Sequence, residues 1–492
     1  MSFIFKSSYK YLFLFSLSIF LITSYFSEGY LHPDEHFQIL EFANYKLGNT
    51  LSTDLPWEFH EKIRPALQPT IAFVIIKALN IISVKNPFTI AFILRFFTAI
   101  LAWFVISKTC LLLIKNFQSE IGKKIFLLLS LFLWFIPFIN VRFSSENLSA
   151  ITFLGAIYLI LKFFNESSSK KICSLGFAGF LLGLAFFFRF QIAFAIFGLA
   201  LWLLIIQKVN WKQILVLVLA GLLSISFCIY LDYWFYGGFE LTPINYFFSN
   251  IVENKAANWG ITPWWNYFNY FILQAIPPIS IILLGFFFWG IFKKPKDIFV
   301  WCILPFLVAH FAVGHKEMRF LFPIVFGFIY IISIGIDQFI IRRKFEKLAR
   351  IVFIICVIIN IPLLIVKMIT PAQEAIAYYK FLYNTSQEKQ VTLLCTEKSV
   401  YDLVGVEVNF YKSGNVNCLV FNNNDEISSF LEENKPESIL LLEKKISTKN
   451  NFDGYSNESI FCLFPKWLIN FDFNNWQSRA RIWNIKELKK NK

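Results

Sequence analysis

Long apolar runs alternate with short polar links over the first 370 residues of the chain. A bilayer-crossing helix needs about 20 mostly apolar residues. The runs predict spans near 11–27, 95–114, 125–141, 149–164, 174–188, 191–207, 212–231, 268–292, 298–314, 320–341 and 349–369, about eleven transmembrane helices. The apolar stretch 66–84 contains Pro69 and Lys77, and a crossing there would invert the sidedness of everything after it. It is expected to lie along the membrane surface or re-enter, inside a structured first loop over 28–94; a crossing is the alternative. After about residue 370 the pattern changes to short alternating runs. Val391-Thr392-Leu393-Leu394-Cys395 and Ser438-Ile439-Leu440-Leu441-Leu442 read as buried strands, with a helix over Asp425 to Glu433 between them. The expected fold class is an all-α polytopic membrane protein (1–370) with a small extracytoplasmic α/β domain (371–492).

Composition agrees with a bilayer protein. Of 492 residues, 57% are hydrophobic and 62 are Phe, with mean hydropathy +0.58, above the ~45–50% apolar content of soluble domains. The first run lacks a small-residue cleavage site and reads as a retained helix rather than a signal peptide. The net charge of +14 would suggest nucleic acid in a soluble protein. Here the cations sit in links between spans, so membrane sidedness explains them and no nucleic-acid partner is expected. Eight cysteines lack CxxC spacing, so no metal site is expected. Among Cys395, Cys418 and Cys462 one disulfide is open if the tail meets an oxidising compartment.

Sidedness sorts the chemistry. Lys115 to Lys124, Ser167-Ser168-Ser169-Lys170-Lys171, Lys208 to Lys212, Lys293-Lys294-Pro295-Lys296 and Arg342-Arg343-Lys344 fall on one face, cytoplasmic by their charge. The other face receives every unusual polar motif. The first is His32-Pro33-Asp34-Glu35-His36-Phe37-Gln38, straight after an apolar run. Ionisable groups are costly beside a membrane and usually mark function. Helix capping by Asp34 is the bland reading; a general base taking a proton from an attacking sugar hydroxyl is the functional one. Neighbours on a helix diverge by ~100°, so one of Asp34 and Glu35 reaches the hydroxyl and the other orients it. His32 and His36 are expected to tune the pair. The second motif is His315-Lys316-Glu317-Met318-Arg319-Phe320. Its residues either snorkel to the interface or clamp a phosphate, Arg by two hydrogen bonds and Lys as a point charge. The third is dispersed: Trp57 and Glu58 with Arg64, Arg142-Phe143-Ser144-Ser145-Glu146-Asn147, Arg189-Phe190-Gln191, and Asp232 to Gly237 including Tyr236. Each alone fits an interfacial anchor; together they fit a cleft lining for sugar rings.

These residues carry a resemblance. His32-Pro33-Asp34-Glu35 with Gln38 and Glu41, Trp57-Glu58, Arg142-Phe143-Ser144, Asp232 to Gly237 and His315-Lys316-Glu317-x-Arg319-Phe320-x-x-Pro323 resemble glycosyltransferase family 22, the Alg9-like α-mannosyltransferases of N-glycan and GPI-anchor assembly. The resemblance covers about the first 330 residues. It implies a GT-C fold, a polyprenyl-phosphate sugar donor (typically dolichyl-phosphate mannose), a lipid-linked glycan acceptor, and inversion in one displacement with no cofactor or metal. By it Asp34 is the candidate base and Arg319 with Lys316 the candidate phosphate contacts; the reading of the motif itself as a clamp adds His315 to the expected phosphate site. The compartment implied is the endoplasmic reticulum membrane in a eukaryote or the inner membrane in a bacterium. The chain reads Arg142-Phe143-Ser144-Ser145-Glu146-Asn147 where the family usually shows Arg-Thr-x-Ser-Asn-Ser, and Arg189-Phe190-Gln191 where it shows Arg-Pro-Thr. Two other readings stay open. A transporter or flippase would show internal repeats and mid-membrane charges. A lipid-to-protein oligosaccharyltransferase would carry a larger tail and metal ligands.

Overall fold

A computed structural model describes residues 9–165, 171–342, 346–443, 452–469, 471 and 483–491. Most of the charged links at 167–171 and 342–344 lie outside these residues. Every predicted span falls on helix, and five helices are individually long and apolar enough to cross a bilayer: Pro87–Asn116, Ser145–Asn165, Trp211–Tyr236, Met318–Ile341 and Ile351–Ile369. Ile279–Lys293 and Ile298–Ala312 pass that test together but bend by 119° between them. Two predicted spans are broken. The 125–141 segment divides into Glu120–Phe132 and Ile136–Asn140, and 268–292 into Asn266–Gln274 and Ile279–Lys293. At the second break Pro277 follows Ile276, which is pushed out of the right-handed helical region to φ 60°; at the first, Pro137 lies in the opening turn of Ile136–Asn140, where a helix tolerates proline. The 66–84 stretch forms Leu67–Ile81, a 15-residue helix about 22 Å long, short of the ~30 Å hydrocarbon core.

Helix packing depends on glycines that apolar periodicity does not register. Gly179 and Gly183 are four apart on one helix. A Cβ on Gly183 would lie 2.0 Å from Ser224 Oγ, and one on Gly179 2.3 Å from the Leu217 carbonyl oxygen, both in Trp211–Tyr236. Gly198 likewise meets the Trp301 carbonyl of Ile298–Ala312 at 2.0 Å. Small residues let helix backbones approach where apolar burial from water cannot drive association.

The chain divides into two compact units. One comprises Met1–Ser27, Trp57–Ile75 and Phe92–Thr370; the other comprises Glu28–Pro56, Ile76–Ala91 and Pro371–Lys492. Sequence division at 370 keeps all of the first loop with the helices, whereas here 28–56 and 76–91 pack with the C-terminal region. The reason is side-chain pairing far apart in sequence. Tyr411 stacks on Phe88 and on His36, with ring centroids 5.0 and 5.4 Å apart, and the Phe410 N–H donates to Glu41 at 2.7 Å. In this second unit β1 (Val391–Thr396), β4 (Val416–Phe421), β5 (Ser438–Glu443), β6 (Tyr455–Cys462) and β7 (Asn484–Lys490) form a sheet ordered β4-β1-β5-β7-β6. β2 (Asp402–Leu403) and β3 (Val406–Glu407) pair separately. β1 runs parallel to β4 and β5, and β7 antiparallel to β5 and β6. The crossover from β4 to β5 is the helix Asn424–Asn434, capped by the Asn423 side chain. It lays Ile427 and Leu431 on a core with Leu394, Ile439, Leu441 and Leu488.

Candidate active site

In the helical unit, four separate chain segments meet in one charged network, in which Glu146, Arg189 and Lys316 are buried and His315, Glu317 and Arg319 partly so. The Ser145–Asn165 helix starts with Glu146 in its first turn. Its carboxylate lies 3.1 Å from an Arg189 nitrogen and 3.2 Å from an Arg319 nitrogen. Arg319 continues to Glu317, with Nε 2.5 Å from Oε2 and Nη2 3.2 Å from Oε1. Glu317 also meets His315 Nε2 at 2.9 Å, while His315 Nδ1 faces the Gly260 carbonyl at 3.1 Å. Both guanidinium groups lie over the Phe320 ring, 5.0 and 5.3 Å from its centroid. Lys316 is buried and donates to the carbonyls of Thr262, at 3.3 Å, and Val313. Among the described residues it pairs with no carboxylate. It thereby places a cation at the C-terminal end of Ile298–Ala312, where the helix dipole favours one, and burial lowers its pKa from the ordinary 10.5. Arg189, Lys316 and Arg319 together carry one more charge than Glu146 and Glu317 neutralise. A second cluster in this unit joins Arg64 to Glu58 (3.4 Å) and places its guanidinium 5.7 Å from the Tyr246 ring centroid; the Tyr246 hydroxyl accepts from Gln191 at 2.5 Å.

The acidic motif belongs to the other unit. Pro33–His36 is a single helical turn whose N-cap is His32 rather than Asp34: His32 Nδ1 lies 3.3 Å from the Asp34 N–H and 3.2 Å from its Oδ1. Glu35 is turned back on its own loop, accepting from the Leu31 N–H at 2.8 Å. Among the described residues no group of three or more His, Cys, Asp or Glu is placed to hold a metal ion.

The sequence matches the Alg9-like mannosyltransferase family over residues 11–406. The chain belongs to this family. Among its relatives are GPI alpha-1,2-mannosyltransferase 3 of Homo sapiens, 25% identical over 64% of this chain and 55% of that protein, and its Bos taurus counterpart, 25% identical over 64% and 57%. GPI mannosyltransferase 3 of Candida albicans is 28% identical over 68% and 65%. The chain thus spans little more than half the length of the mammalian relatives. The crystal structure of ArnT from Cupriavidus metallidurans bound to undecaprenyl phosphate aligns at TM-score 0.56, with 10% identity, over 97% of this chain and 98% of that one. That likeness shows the fold, GT-C.

Against the Alg9-like pattern, the expected residues divide. Arg189, His315, Lys316 and Arg319 join the charged network. Glu58 joins the second cluster, and Trp57 lies under Lys255, 5.7 Å from its ring centroid. Three expected cleft residues instead tie backbone together. Arg142 donates to the Ser27 carbonyl at 2.6 Å and its hydroxyl at 2.8 Å. Asp232 accepts from the Ala66 N–H at 2.7 Å and the Thr242 hydroxyl at 2.6 Å. The Tyr236 hydroxyl donates to the Arg64 carbonyl at 2.7 Å. Gln38 is buried in a π-helical turn, Phe37–Glu41. His36 does not tune Asp34: it is fully buried, with Nε2 2.8 Å from Glu41. Sequence reasoning quoted Glu146 and Glu317 inside motifs without giving them a role. Their signal was a carboxylate at a span boundary, which needs a cationic partner when buried.

Proposed function

We propose that this protein transfers a hexose, mannose on the family's evidence, from a polyprenyl-phosphate donor to a hydroxyl of a lipid-linked glycan or GPI-like acceptor. The observation that carries the reading is the surplus positive charge of the network, with Lys316 bonded, among the described residues, to carbonyls alone. Buried cations in excess of their carboxylates fit an anionic ligand such as a phosphate. The relatives' names supply mannose and GPI, and the ArnT structure supplies a polyprenyl phosphate as ligand of the same fold. In the proposed step the acceptor oxygen attacks the anomeric carbon as its proton passes to Asp34. The bond from that carbon to the phosphate oxygen breaks, and the polyprenyl phosphate leaves with its charge held by Lys316 and Arg319. Attack opposite the leaving group inverts the anomeric centre. The active face is extracytoplasmic, facing the lumen of the endoplasmic reticulum in a eukaryote or lying outside the inner membrane in a bacterium. The network lies at helix ends rather than mid-span, which favours the transferase over the transporter.

The test is reconstitution with radiolabelled polyprenyl-phosphate mannose and lipid-linked glycan acceptors. Transfer by the wild type, reduced ~10²–10⁴-fold in Asp34→Asn, is the expected loss of a general base. Full activity in Asp34→Asn would remove Asp34 from the mechanism. Donor binding without transfer to any lipid-linked acceptor would overturn the acceptor assignment.

A further inference from the structure

Beside the charged network the helical unit holds buried polar atoms that no described residue satisfies. His310 is 5% exposed and lies on Ile298–Ala312. Its Nδ1 sits 2.8 Å from the Phe306 carbonyl, and a carbonyl only accepts, so Nδ1 carries the hydrogen. In the neutral ring Nε2 is then a bare acceptor, and it has no hydrogen-bond partner. The ring cannot turn freely, because it stacks on Phe306 with centroids 4.0 Å apart. Tyr267 packs 6.5 Å from it, ring to ring, and is 2% exposed. The Tyr267 and Thr262 hydroxyls are likewise buried and, among the described residues, have no hydrogen-bond partner. Thr262 is the residue whose carbonyl receives Lys316. A buried polar atom left unsatisfied is costly, and native folds hold few of them. Here three come from separate segments: His310 and Tyr267 pack ring to ring, and Thr262 receives Lys316 through its carbonyl.

We propose that His310, Tyr267 and Thr262 form a subsite that reads hydroxyls on the sugar attached to the donor phosphate. The inference rests on the transferase reading and deepens it. Its chemistry separates a sugar from a second phosphate: a bare imidazole nitrogen repels an anionic oxygen but accepts from an alcohol. Two neighbouring hydroxyls can each donate or accept, as a ring bearing several alcohols requires. The Lys316 ammonium beside them takes the phosphate, so one ligand with an anion next to a polyol fits the whole arrangement.

The experiment compares wild type, His310→Phe and Tyr267→Phe with polyprenyl-phosphate mannose, its 2-, 3-, 4- and 6-deoxy analogues, and sugar-free polyprenyl phosphate as a competitive inhibitor. A site built to bond a substrate hydroxyl discriminates strongly against an analogue lacking it. Wild type is therefore expected to lose about 10²-fold in kcat/KM with at least one deoxy donor. His310→Phe should show a similar loss with the parent donor and little further loss with that analogue, because the paired deletions remove one interaction. The inhibition constant of sugar-free polyprenyl phosphate should stay unchanged in both variants. Wild-type discrimination retained by both variants would overturn the subsite. Equal weakening of donor and sugar-free phosphate would overturn it too, assigning these residues to the phosphate or to folding. Absence of transfer from any donor by wild type is a different result: it would overturn the transferase reading itself, and the subsite with it.

Discussion

Two buried carboxylates stand at the two ends of the helical unit and differ in what holds them. Asp337 is near the end of the Met318–Ile341 span, 18 residues and about 27 Å beyond Arg319. It is 1% exposed and accepts from the backbone N–H groups of Gln118 and Ser119, at 3.0 and 3.1 Å, and from the Ser119 hydroxyl at 2.5 Å. A Cβ on Gly122 would stand 2.1 Å from Asp337 Oδ1, so a glycine is needed there for the approach. Glu146 is 4% exposed and is held by the side chains of Arg189 and Arg319. Backbone amides are fixed, and their bonds to Asp337 close a joint between a loop and a helix. Guanidinium groups carry five donors each and can share them with a second anion. Burial and satisfied hydrogen bonds are therefore common to both ends, and it is the kind of partner that separates a joint from a site.

The sharpest way to break this comparison is at Arg319. Its loss in Arg319→Ala removes a phosphate contact and strands Glu146 and Glu317, and kcat/KM for transfer should fall about 10³-fold, roughly 4 kcal/mol of transition-state stabilisation. Lys316→Gln should cost about 10²-fold in steady-state transfer, with the KM for donor rising. Asp337→Ala works on the other quantity. It leaves buried amides unsatisfied at about 1–3 kcal/mol, lowering the thermal midpoint seen by intrinsic fluorescence while kcat/KM per folded molecule stays within about threefold of wild type. Gly122→Ala should reproduce that loss of stability in the same melt. The smallest effect is in pH. Lys316 binds phosphate only while protonated, and its lowered pKa means that the proton leaves earlier as pH rises. The alkaline limb of kcat/KM should therefore begin below 10.5, and Lys316→Arg, which keeps its charge, should move that limb upward. A limb that is the same in both proteins would assign it to another group.

The span pattern was legible because a bilayer demands unbroken apolar length, and the run at 212–231 becomes Trp211–Tyr236 almost unchanged. The strands at 391–396 and 438–443 were legible by the same local logic of alternating or continuous apolar residues. The two broken spans were not legible from hydropathy: averaged over a span's length it hardly registers Pro137 or Pro277-Pro278, although a proline marks a helix start or break. The facing of His36 was not legible, since its partner Glu41 is five residues away but its stacking partner Tyr411 is 375 away in the chain. The sorting of polar links by charge placed Glu146, Arg189 and Arg319 on one face before any distance was known. It gave no way to separate Arg189, which joins the network, from Arg142, which holds the end of Lys10–Phe26 through Ser27. Both are arginines at a span boundary, and only packing distinguishes them.

The most direct measurement is reconstituted transfer by Arg319→Ala and Asp337→Ala side by side, each normalised to its folded fraction, with radiolabelled polyprenyl-phosphate mannose as donor. The account predicts a loss of about 10³-fold in kcat/KM for Arg319→Ala and nearly wild-type turnover for folded Asp337→Ala. Equal losses in both, or a larger one in Asp337→Ala, would contradict the assignment of the chemistry to the Glu146 end.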